Sequence, residues 1–224
     1  MAFIVFEGLD GSGKSTLIQA LDQELRRRGL VSRVTREPGG THLGEEVREV
    51  LLRTDQEAPV PRAELFLYAA GRAQHVDLVI RPALEQGEWV LCDRFYASTA
   101  AFQCGGRGLE RSSVDLLNSF AVDGCWPDLT VLLDVSVEES LRRRQQRELK
   151  SGVAADRFER EKRVFHQRVR DFYLQLAKEA SSDSSSTPSG PWLKLDAERL
   201  QAEDLLALLI GELEERKWLN SSSK

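Results

Sequence analysis

Short apolar runs alternate with longer stretches of helical periodicity along most of the chain. Four runs have the length and composition of strands, and most stretches between them repeat their apolar residues at the spacing of a helix. The predicted strands are 3–6, 31–35, 89–92 and 129–135. The predicted helices are 14–28, 43–53, about 62–74, 75–86, 97–121, 138 to about 180, and an amphipathic helix at 202–218. This alternation predicts a doubly wound α/β fold.

The predicted strands lack the polar alternation of a sheet with one wet face. Val131-Leu132-Leu133 is an example, and such continuous runs are typical of parallel strands covered on both sides. Residues 181–190 are serine-rich with no apolar anchor, so we expect a surface loop there. Because the loop is short and Trp192 to Leu195 and the last helix follow it, we expect a single domain over residues 1–224.

A glycine-rich loop joins the first predicted strand to the first predicted helix. The loop has the complete spacing G-x-x-x-x-G-K-S of a Walker A phosphate loop. Glycines let backbone N–H groups approach a triphosphate, Lys14 would bridge the outer phosphates, and the Ser15 hydroxyl would bind Mg²⁺. The alternative is an ordinary glycine-rich turn. The predicted ATP-binding residues are Gly8, Leu9, Asp10, Gly11, Ser12, Gly13, Lys14, Ser15 and Thr16.

Composition narrows the class of protein further. The chain has 224 residues, is 41% hydrophobic and contains no apolar run of the length that a membrane span needs. A net charge of -5 argues against broad nucleic-acid wrapping. No secretory leader is apparent, and three cysteines without paired spacing favour reduced thiols in a cytoplasm.

An acid and an arginine, Asp93 and Arg94, follow the strand 89–92 directly. Ligands of this fold class bind outside the carboxyl ends of the strands, so Asp93 could reach the magnesium shell and Arg94 could contact phosphates. A surface salt bridge is the alternative. Asp134 ends another strand in the same way, but an acid without an arginine beside it is a weaker signal.

Three further segments carry candidate binding residues. Tyr68 and Arg72 share a helix face and suit a base and a phosphate, and Thr99 and Gln103 have the same spacing, so the Gln103 amide could pair with a pyrimidine edge. The turn 35–40 projects a polar corner, although it could be a plain strand-to-helix turn. Each helix pair could equally be part of an ordinary helix face.

The arginine-rich stretch 142–147 is the last candidate. Arg143 and Arg147 share a helical face and could close over a transferring phosphoryl group, with Ser151-Gly152 as a flexible break. A solvated charged helix would have the same sequence pattern. We therefore treat 142–160 as a candidate lid.

Taken together, these motifs resemble those of the bacterial thymidylate kinases, which are nucleoside monophosphate kinases. The likeness runs from Phe3 to the final helix and depends on several motifs in the same order. They are residues 7–16, 36–40, 68–72, 93–94, 98–99 with 102–103, 127–130 and 156–159. The resemblance implies a three-layer P-loop kinase fold with about five parallel strands, helices on both faces and a helical lid.

The resemblance also implies an activity, which is transfer of a phosphoryl group from ATP to dTMP with Mg²⁺. Another nucleotide or nucleoside kinase of this fold is the nearest rival. A nucleotide-operated switch is more remote, since the chain lacks an N-K-x-D guanine signature. The family is usually dimeric, so a homodimer through the 62–86 and 97–121 helices is implied.

By resemblance, individual residues acquire roles. Tyr68 stacks on the base, Thr99 and Gln103 face its edge, Asp10 holds the sugar 3′-hydroxyl, and Phe102 crowds the 2′ position. Arg48, Arg72 and Arg94 surround the acceptor phosphate, Pro38 and Ser98 belong to the same substrate site, and Glu37 lies near Mg²⁺ with Ser15 and Asp93. Lys14, Asp93, Arg94 and a lid arginine, Arg147 or Arg157, form the catalytic set.

One departure from the family pattern, and one feature that the bacterial subgroup shares, alter these expectations. Gly71 stands where relatives often have a polar residue, so we expect Arg72 to lack an orienting partner. The loop has Gly11-Ser12 where another subgroup carries an arginine, so the cation should come from the lid.

Overall fold

The computed structural model describes residues 1–152, 155–182 and 190–219. Strands and helices alternate in these ranges as the sequence pattern predicts. The strands are β1 (Phe3–Glu7), β2 (Ser32–Arg36), β3 (Trp89–Asp93), β4 (Leu129–Asp134) and β5 (Trp192–Asp196). The α-helices are α1 (Lys14–Arg27), α2 (His42–Leu52), α3 (Pro61–His75), α4 (Arg81–Glu85), α5 (Tyr96–Ala100), α6 (Arg111–Val122), α7 (Val137–Ser151), α8 (Arg163–Ser182) and α9 (Ala202–Glu215).

The five strands form one parallel sheet in the order β2-β3-β1-β4-β5. Phe6 in the central strand pairs with Asp93 on one side and with Val131 on the other. Side chains of neighbouring strand residues point to opposite faces, and all five residues of β1 are buried, so both faces of the sheet are covered. The predicted α/β fold is confirmed.

Two helical regions contain π-helical segments that the periodicity did not predict. Val76–Ile80 joins α3 to α4, and Ala101–Gly106 continues α5. Wider turns of this kind occur often at functional sites, because they shift the direction of the side chains that follow. The second segment carries Phe102 and Gln103, two of the predicted substrate residues.

The helical stretch predicted from 138 to about 180 is interrupted after Ser151-Gly152, where the sequence predicts a break. Helix α7 ends at Ser151, and Gly152 caps it in the left-handed conformation at φ 66°. A glycine adopts this conformation without steric cost. Helix α8 begins only at Arg163, and the segment 155–162 between them forms turns. We call 155–162 the lid segment.

The serine-rich stretch predicted as a surface loop lies mostly outside the described residues, since 183–189 are not described. Beyond it, Trp192 to Leu195 belong to the edge strand β5, which completes the sheet. Within the described part of the chain, none of the helices has the length and apolar character that crossing a membrane requires.

Candidate active site

A cavity of about 970 Å³ opens at the carboxyl ends of β1 and β3. Its size lies at the upper end of the range for small-molecule sites. The cavity brings together most of the residues predicted to bind ATP or the acceptor. They are residues 10–16, Glu37, Pro38, Arg48, Tyr68, Arg72, Asp93, Arg94, Ser98, Thr99, Phe102 and Arg147. Four other predicted residues do not line the cavity. They are Gly8, Leu9, Gln103 and Arg157.

The phosphate loop has the backbone that its glycines allow. Gly8 has φ 135°, and a Cβ atom there would lie 2.3 Å from the carbonyl oxygen of Leu133. Gly13 caps α1 at φ 98°, and the Lys14 ammonium donates to the carbonyl oxygens of Gly8 and Leu9 at 3.1 and 3.0 Å. Burial and the neighbouring Arg94 charge lower the Lys14 pKa. The loop therefore presents a cation and a helix N-terminus to an anion.

Helix α7 packs directly on the same loop. The Ser140 hydroxyl donates to the carbonyl oxygen of Asp10 at 2.7 Å. Gly11, at φ 79°, has no room for a side chain, because its Cβ would lie 3.0 Å from the Ser140 carbonyl oxygen and 3.2 Å from the Arg143 Cβ. The glycine at position 11 is therefore needed both for the loop conformation and for the approach of α7.

Two oxygen-bearing side chains meet at the start of α1 and the end of β3. The Ser15 hydroxyl donates to a carboxylate oxygen of Asp93 at 3.1 Å. Magnesium ions in phosphate-transfer sites are held by one or two protein oxygen ligands together with phosphates and water. The pair fits such an ion, and it stands beside the phosphate loop, as the sequence predicts.

Arg94 lies in the cavity wall with an uncommon backbone conformation for a non-glycine residue, φ 70°. Its guanidinium donates to Asp10 at 2.7 Å, and to the hydroxyls of Ser98 and Tyr173 at 3.1 Å each. Burial acts to raise the Asp10 pKa, but the charges of Arg94 and Lys14 outweigh it and hold that pKa well below its usual range.

Glu7 is a buried residue of this site, and the sequence analysis assigned it no role. Its carboxylate accepts hydrogen bonds from the backbone N–H groups of Phe95 and Ser98 at 2.9 and 3.0 Å, and from the hydroxyls of Ser98 and Tyr173 at 2.6 and 2.9 Å. Burial raises its pKa despite the Arg94 charge. Glu7 thereby holds the turn that carries Arg94. An acid at the end of a buried strand was the available signal.

Arg72 does not have the surroundings of a phosphate clamp. Its side chain is 1% exposed, donates to Glu37 at 2.9 and 2.7 Å, and donates to Thr99 at 3.0 Å and Asn118 at 2.7 Å. These bonds use four of the five N–H groups of a guanidinium. The geometry therefore gives no support to the predicted contact with the acceptor phosphate. The expectation that Gly71 leaves Arg72 without an orienting partner is wrong.

Glu37 is held in the same buried network. One carboxylate oxygen accepts from Arg72, and the other lies 2.9 Å from Nδ1 of His75, whose Nε2 lies 2.7 Å from the Thr35 hydroxyl. Since both oxygens have protein partners, this geometry gives no support to the metal-ligand role, which stays a prediction. His75, the last residue of α3, is a fully buried part of the network.

Three aromatic rings form an apolar part of the cavity wall. The Phe158 ring centroid lies 5.5 Å from that of Phe102 in an edge-on arrangement, and 6.4 Å from that of Tyr68. Tyr68 and Phe102 were predicted at the substrate. Phe158 belongs to the motif 156–159, but the sequence analysis predicted no role for it. Flat apolar surfaces of this kind suit a nucleobase and a sugar.

The two candidate lid arginines have different surroundings. Arg147 is 57% exposed, lines the cavity and contacts Glu159. Arg157 instead donates to the Leu51 carbonyl oxygen at 2.8 Å and to Glu64 at 2.6 Å. The geometry favours Arg147 as the cation that could reach a phosphoryl group.

The far end of the cavity was not predicted. It lies between α7 and the segment 197–202 that follows β5. Arg143 joins the two, because it donates to the carbonyl oxygens of Gly11 at 3.4 Å and Ala197 at 2.9 Å. Periodicity alone could not place segment 197–202 beside α7, since the two are far apart in the sequence.

Comparison with known proteins assigns the family. A family model described as thymidylate kinase matches residues 6–184. This chain belongs to the thymidylate kinase family. The thymidylate kinase of Bdellovibrio bacteriovorus is 52% identical over 219 residues, which are 98% of each protein, and that of Trichlorobacter lovleyi is 53% identical over 79% of this chain and 84% of the relative. The crystal structure of thymidylate kinase from Ehrlichia chaffeensis superposes with a TM-score of 0.70 at 31% identity and covers 95% of this chain and 98% of that protein.

Membership of the thymidylate kinase family confirms the resemblance that the motifs carry. It does not by itself test which side chains bind which part of a ligand, so the residue roles stay predictions.

The acid at the end of β4, which was a weaker sequence signal, is explained by an ion pair. Asp134, at the end of β4, pairs with Arg170 at 2.8 and 3.2 Å and does not line the large cavity.

Proposed function

We propose that this protein transfers the γ-phosphoryl group of ATP to dTMP, producing dTDP and ADP. The observation that carries the proposal is one cavity with a phosphate loop at its centre and two unlike ends. One end is lined by aromatic rings and a buried arginine, and the other lies between α7 and the segment 197–202. A kinase with two nucleotide substrates needs this arrangement, whereas a switch needs only the donor half.

The donor half consists of the phosphate loop and the far end of the cavity. Backbone N–H groups of residues 10–16 and the Lys14 ammonium would bind the phosphates of ATP. The adenine would lie between α7 and segment 197–202, beside Arg143. The charge of Lys14 would reduce the repulsion between the two nucleotide anions.

The acceptor half would hold dTMP from phosphate to base. Arg94, with Arg48 nearby, would bind the acceptor phosphate, and Asp10 would accept a hydrogen bond from the sugar hydroxyl. Arg72 has one N–H group that is not bonded to a described residue. We place a carbonyl oxygen of the base against this group, instead of the phosphate contact that the sequence predicted. Tyr68 would stack on the base.

Ser15 and Asp93 are the residues that would hold Mg²⁺. When bound, this ion neutralises charge on the phosphate oxygens of the donor. The acceptor phosphate is itself an anionic nucleophile, so no general base is required. The protein's contribution is to align two anions and to exclude water, with Arg147 approaching from α7.

A coupled ADP-release assay tests the proposal. ATP would be offered with dTMP, dUMP, UMP, CMP, AMP or GMP in turn. We expect dTMP to give the highest kcat/KM. A higher value with another nucleotide would assign the enzyme to a rival kinase activity, and equal ADP release without any acceptor would favour a nucleotide-operated switch.

We also propose a homodimer, in which a second copy of the chain covers the surface of α3 and α6. Phe66 on α3 and Leu116 and Phe120 on α6 are 60%, 71% and 82% exposed, and the two helices contact each other. Large apolar side chains on one surface favour association. Light scattering should give a dimer mass for the wild type and a monomer mass for Phe120→Glu.

The remaining expectations are consistent with such an enzyme. We propose a single kinase domain over residues 1–224. We also place the protein in a reducing cytoplasm, because Cys92, Cys104 and Cys125 are all free thiols and two of them are buried.

A further inference from the structure

Glu64 in α3 is fully buried, yet none of the motifs gave it a role. Its carboxylate accepts hydrogen bonds from three residues, which lie in two segments distant from α3 in the sequence. Gln103 donates from the π-helical segment at 2.6 Å, Arg157 donates from the lid segment at 2.6 Å, and Arg107 donates at 3.2 Å. A buried carboxylate is costly unless its partners are in place. Glu64 therefore favours the arrangement in which both segments are docked against α3.

On the lid side, Glu64 fixes the position of an aromatic ring in the cavity wall. Arg157 is held by Glu64 and by the Leu51 carbonyl oxygen, and its guanidinium lies 4.3 Å from the Phe158 ring centroid. Arg107, a second partner of Glu64, lies 5.4 Å from the same centroid. Both cations that contact Phe158 are thus bonded to one carboxylate.

On the base side, Glu64 fixes the orientation of the Gln103 amide. A carboxylate accepts hydrogen bonds, so the Gln103 NH₂ group must face Glu64. The amide oxygen is then left as a buried acceptor, and it has no partner among the described residues. Its neighbours Thr99 and Phe102 line the cavity. A donor on the base, directly or through one water, would satisfy this oxygen.

The fixed orientation discriminates between pyrimidines. Thymine carries a donor at N3 and an acceptor at O4, which complement an acceptor from Gln103 and a donor from Arg72. Cytosine carries a lone pair at N3 and a donor at N4, and therefore opposes both. If the Gln103 amide could rotate freely, it would no longer distinguish thymine from cytosine, and only the Arg72 contact would do so.

We propose that Glu64 is a positioning residue that couples closure of the lid segment to recognition of the base, because one carboxylate oxygen holds Arg157 and the other holds the Gln103 amide. This inference rests on the proposed function. When the lid segment leaves, Oε2 loses its shortest hydrogen bond and the carboxylate can turn toward its remaining donors. The amide of Gln103 is then no longer held. By linkage, binding of the correct base favours the closed lid to the same extent.

The test is whether a change in the lid alters base discrimination. We would measure the KM for dTMP and the inhibition constant of dCMP as a competitor, and take their ratio. Arg157→Gln should lower the ratio of the dCMP inhibition constant to the dTMP KM about tenfold, within the usual range of coupling between sites. Arg157 does not line the cavity, but it packs on Phe158, which does. Loss of that packing alone would weaken dTMP and dCMP alike, so a purely structural role would leave the ratio unchanged.

Arg160→Gln is the matched control, because Arg160 lies in the same segment and donates to the Ala155 carbonyl oxygen nearby. It should leave the ratio as in the wild type. Glu64→Gln should lower the ratio at least as much as Arg157→Gln, and circular dichroism would check its folding. If Glu64→Gln does not fold, Arg157→Gln decides alone.

The outcomes separate this inference from the proposed function. Wild-type protein that does not phosphorylate dTMP would overturn both. Wild-type activity with an unchanged ratio in Arg157→Gln would overturn the coupling alone, even if kcat fell. If Arg157→Gln lowered kcat and left the ratio unchanged, the result would instead indicate that Arg157 acts on the phosphoryl group.

Discussion

We name the two ends of the cavity after their proposed roles: the acceptor end carries Tyr68, Arg72 and Phe102, and the donor end lies between α7 and segment 197–202. Both ends use arginine and glutamate, but in opposite surroundings. At the acceptor end, the Arg72 and Glu37 side chains are 1% and 5% exposed and are joined by His75 and Asn118. At the donor end, Arg142 and Arg147 on α7 are 56% and 57% exposed. The acceptor end is a buried network, whereas the donor end is a solvated helix.

The difference in burial has a mechanistic meaning. Buried, mutually bonded side chains have one arrangement and can discriminate between ligands without reorganising. Exposed arginines can change partners at low cost, because surface ion pairs contribute little to stability. We infer that selectivity resides in the preformed acceptor end, and that movement during turnover is concentrated in α7 and the lid segment.

The largest effect is expected where the two ends meet, at Lys14. In Lys14→Ala, the cation that would offset repulsion between the two nucleotides is lost, so kcat should fall at least about 1,000-fold. The coupled ADP assay measures it. Lys178→Ala, which removes an exposed lysine of α8, should have wild-type activity. Near-normal turnover of folded Lys14→Ala would remove Lys14 from the mechanism.

The second effect tests whether the acceptor end is structurally preformed. Glu37→Gln removes the charge that pairs with buried Arg72, so the free energy of unfolding should fall by about 3 kcal/mol. Urea denaturation measures it, with Glu45→Gln, in an exposed pair with Arg36, as a control of little effect. Unchanged stability with a raised magnesium requirement would show that Glu37 is a metal ligand after all.

The third effect tests the donor end. Arg147→Gln should lower kcat about 100-fold through loss of transition-state charge stabilisation, with little change in the dTMP KM. Its stability should stay close to that of the wild type, since the side chain is largely exposed. The control is Arg163→Gln, which changes another exposed arginine near the lid segment. A large loss of stability in Arg147→Gln would contradict the contrast between the two ends.

The smallest effect concerns the pH dependence of α7. Hydrogen bonds from Arg142 and Arg143 lower the pKa of Glu139 from 4.5 to about 2. A carboxyl whose folded-state pKa is lowered stabilises the fold above its unfolded pKa, and this contribution is lost as pH falls from about 4.5 toward 2. Glu139→Gln should lower Tm by less than about 3 °C at neutral pH.

Thermal melts at several pH values separate this contribution from the rest. Below pH 2 the wild type and Glu139→Gln should melt at nearly the same temperature, because the carboxyl is then protonated in both states of the wild type. A difference in Tm that grew as the pH fell would contradict the assignment.

The sequence predicted the fold well and located the glycine-rich loop between β1 and α1, because both depend on local patterns. Strand, glycine loop and helix are adjacent in residues 3–28, and the Asp93-Arg94 pair directly follows its strand. Buried parallel strands are readable as apolar runs. These features therefore needed no knowledge of distant contacts.

The partners of the charged side chains could not be predicted in the same way. Arg72 pairs with Glu37, Arg157 pairs with Glu64, and each pair is far apart in the sequence. An arginine suited to a phosphate is equally suited to a buried carboxylate. Only the tertiary structure decides which anion it meets, which is why the predicted role of Arg72 does not fit and Glu64 was missed.

The glycine at position 11 limits how the phosphate loop can change. The carbonyl oxygen of Ser140 and the Cβ of Arg143, both in α7, occupy the space that a side chain at this position would need. Gly11→Arg would therefore displace α7 without adding a cation to the site. A substitution at position 11 requires a compensating change in α7, so we expect the loop and this helix to accept substitutions only as a pair.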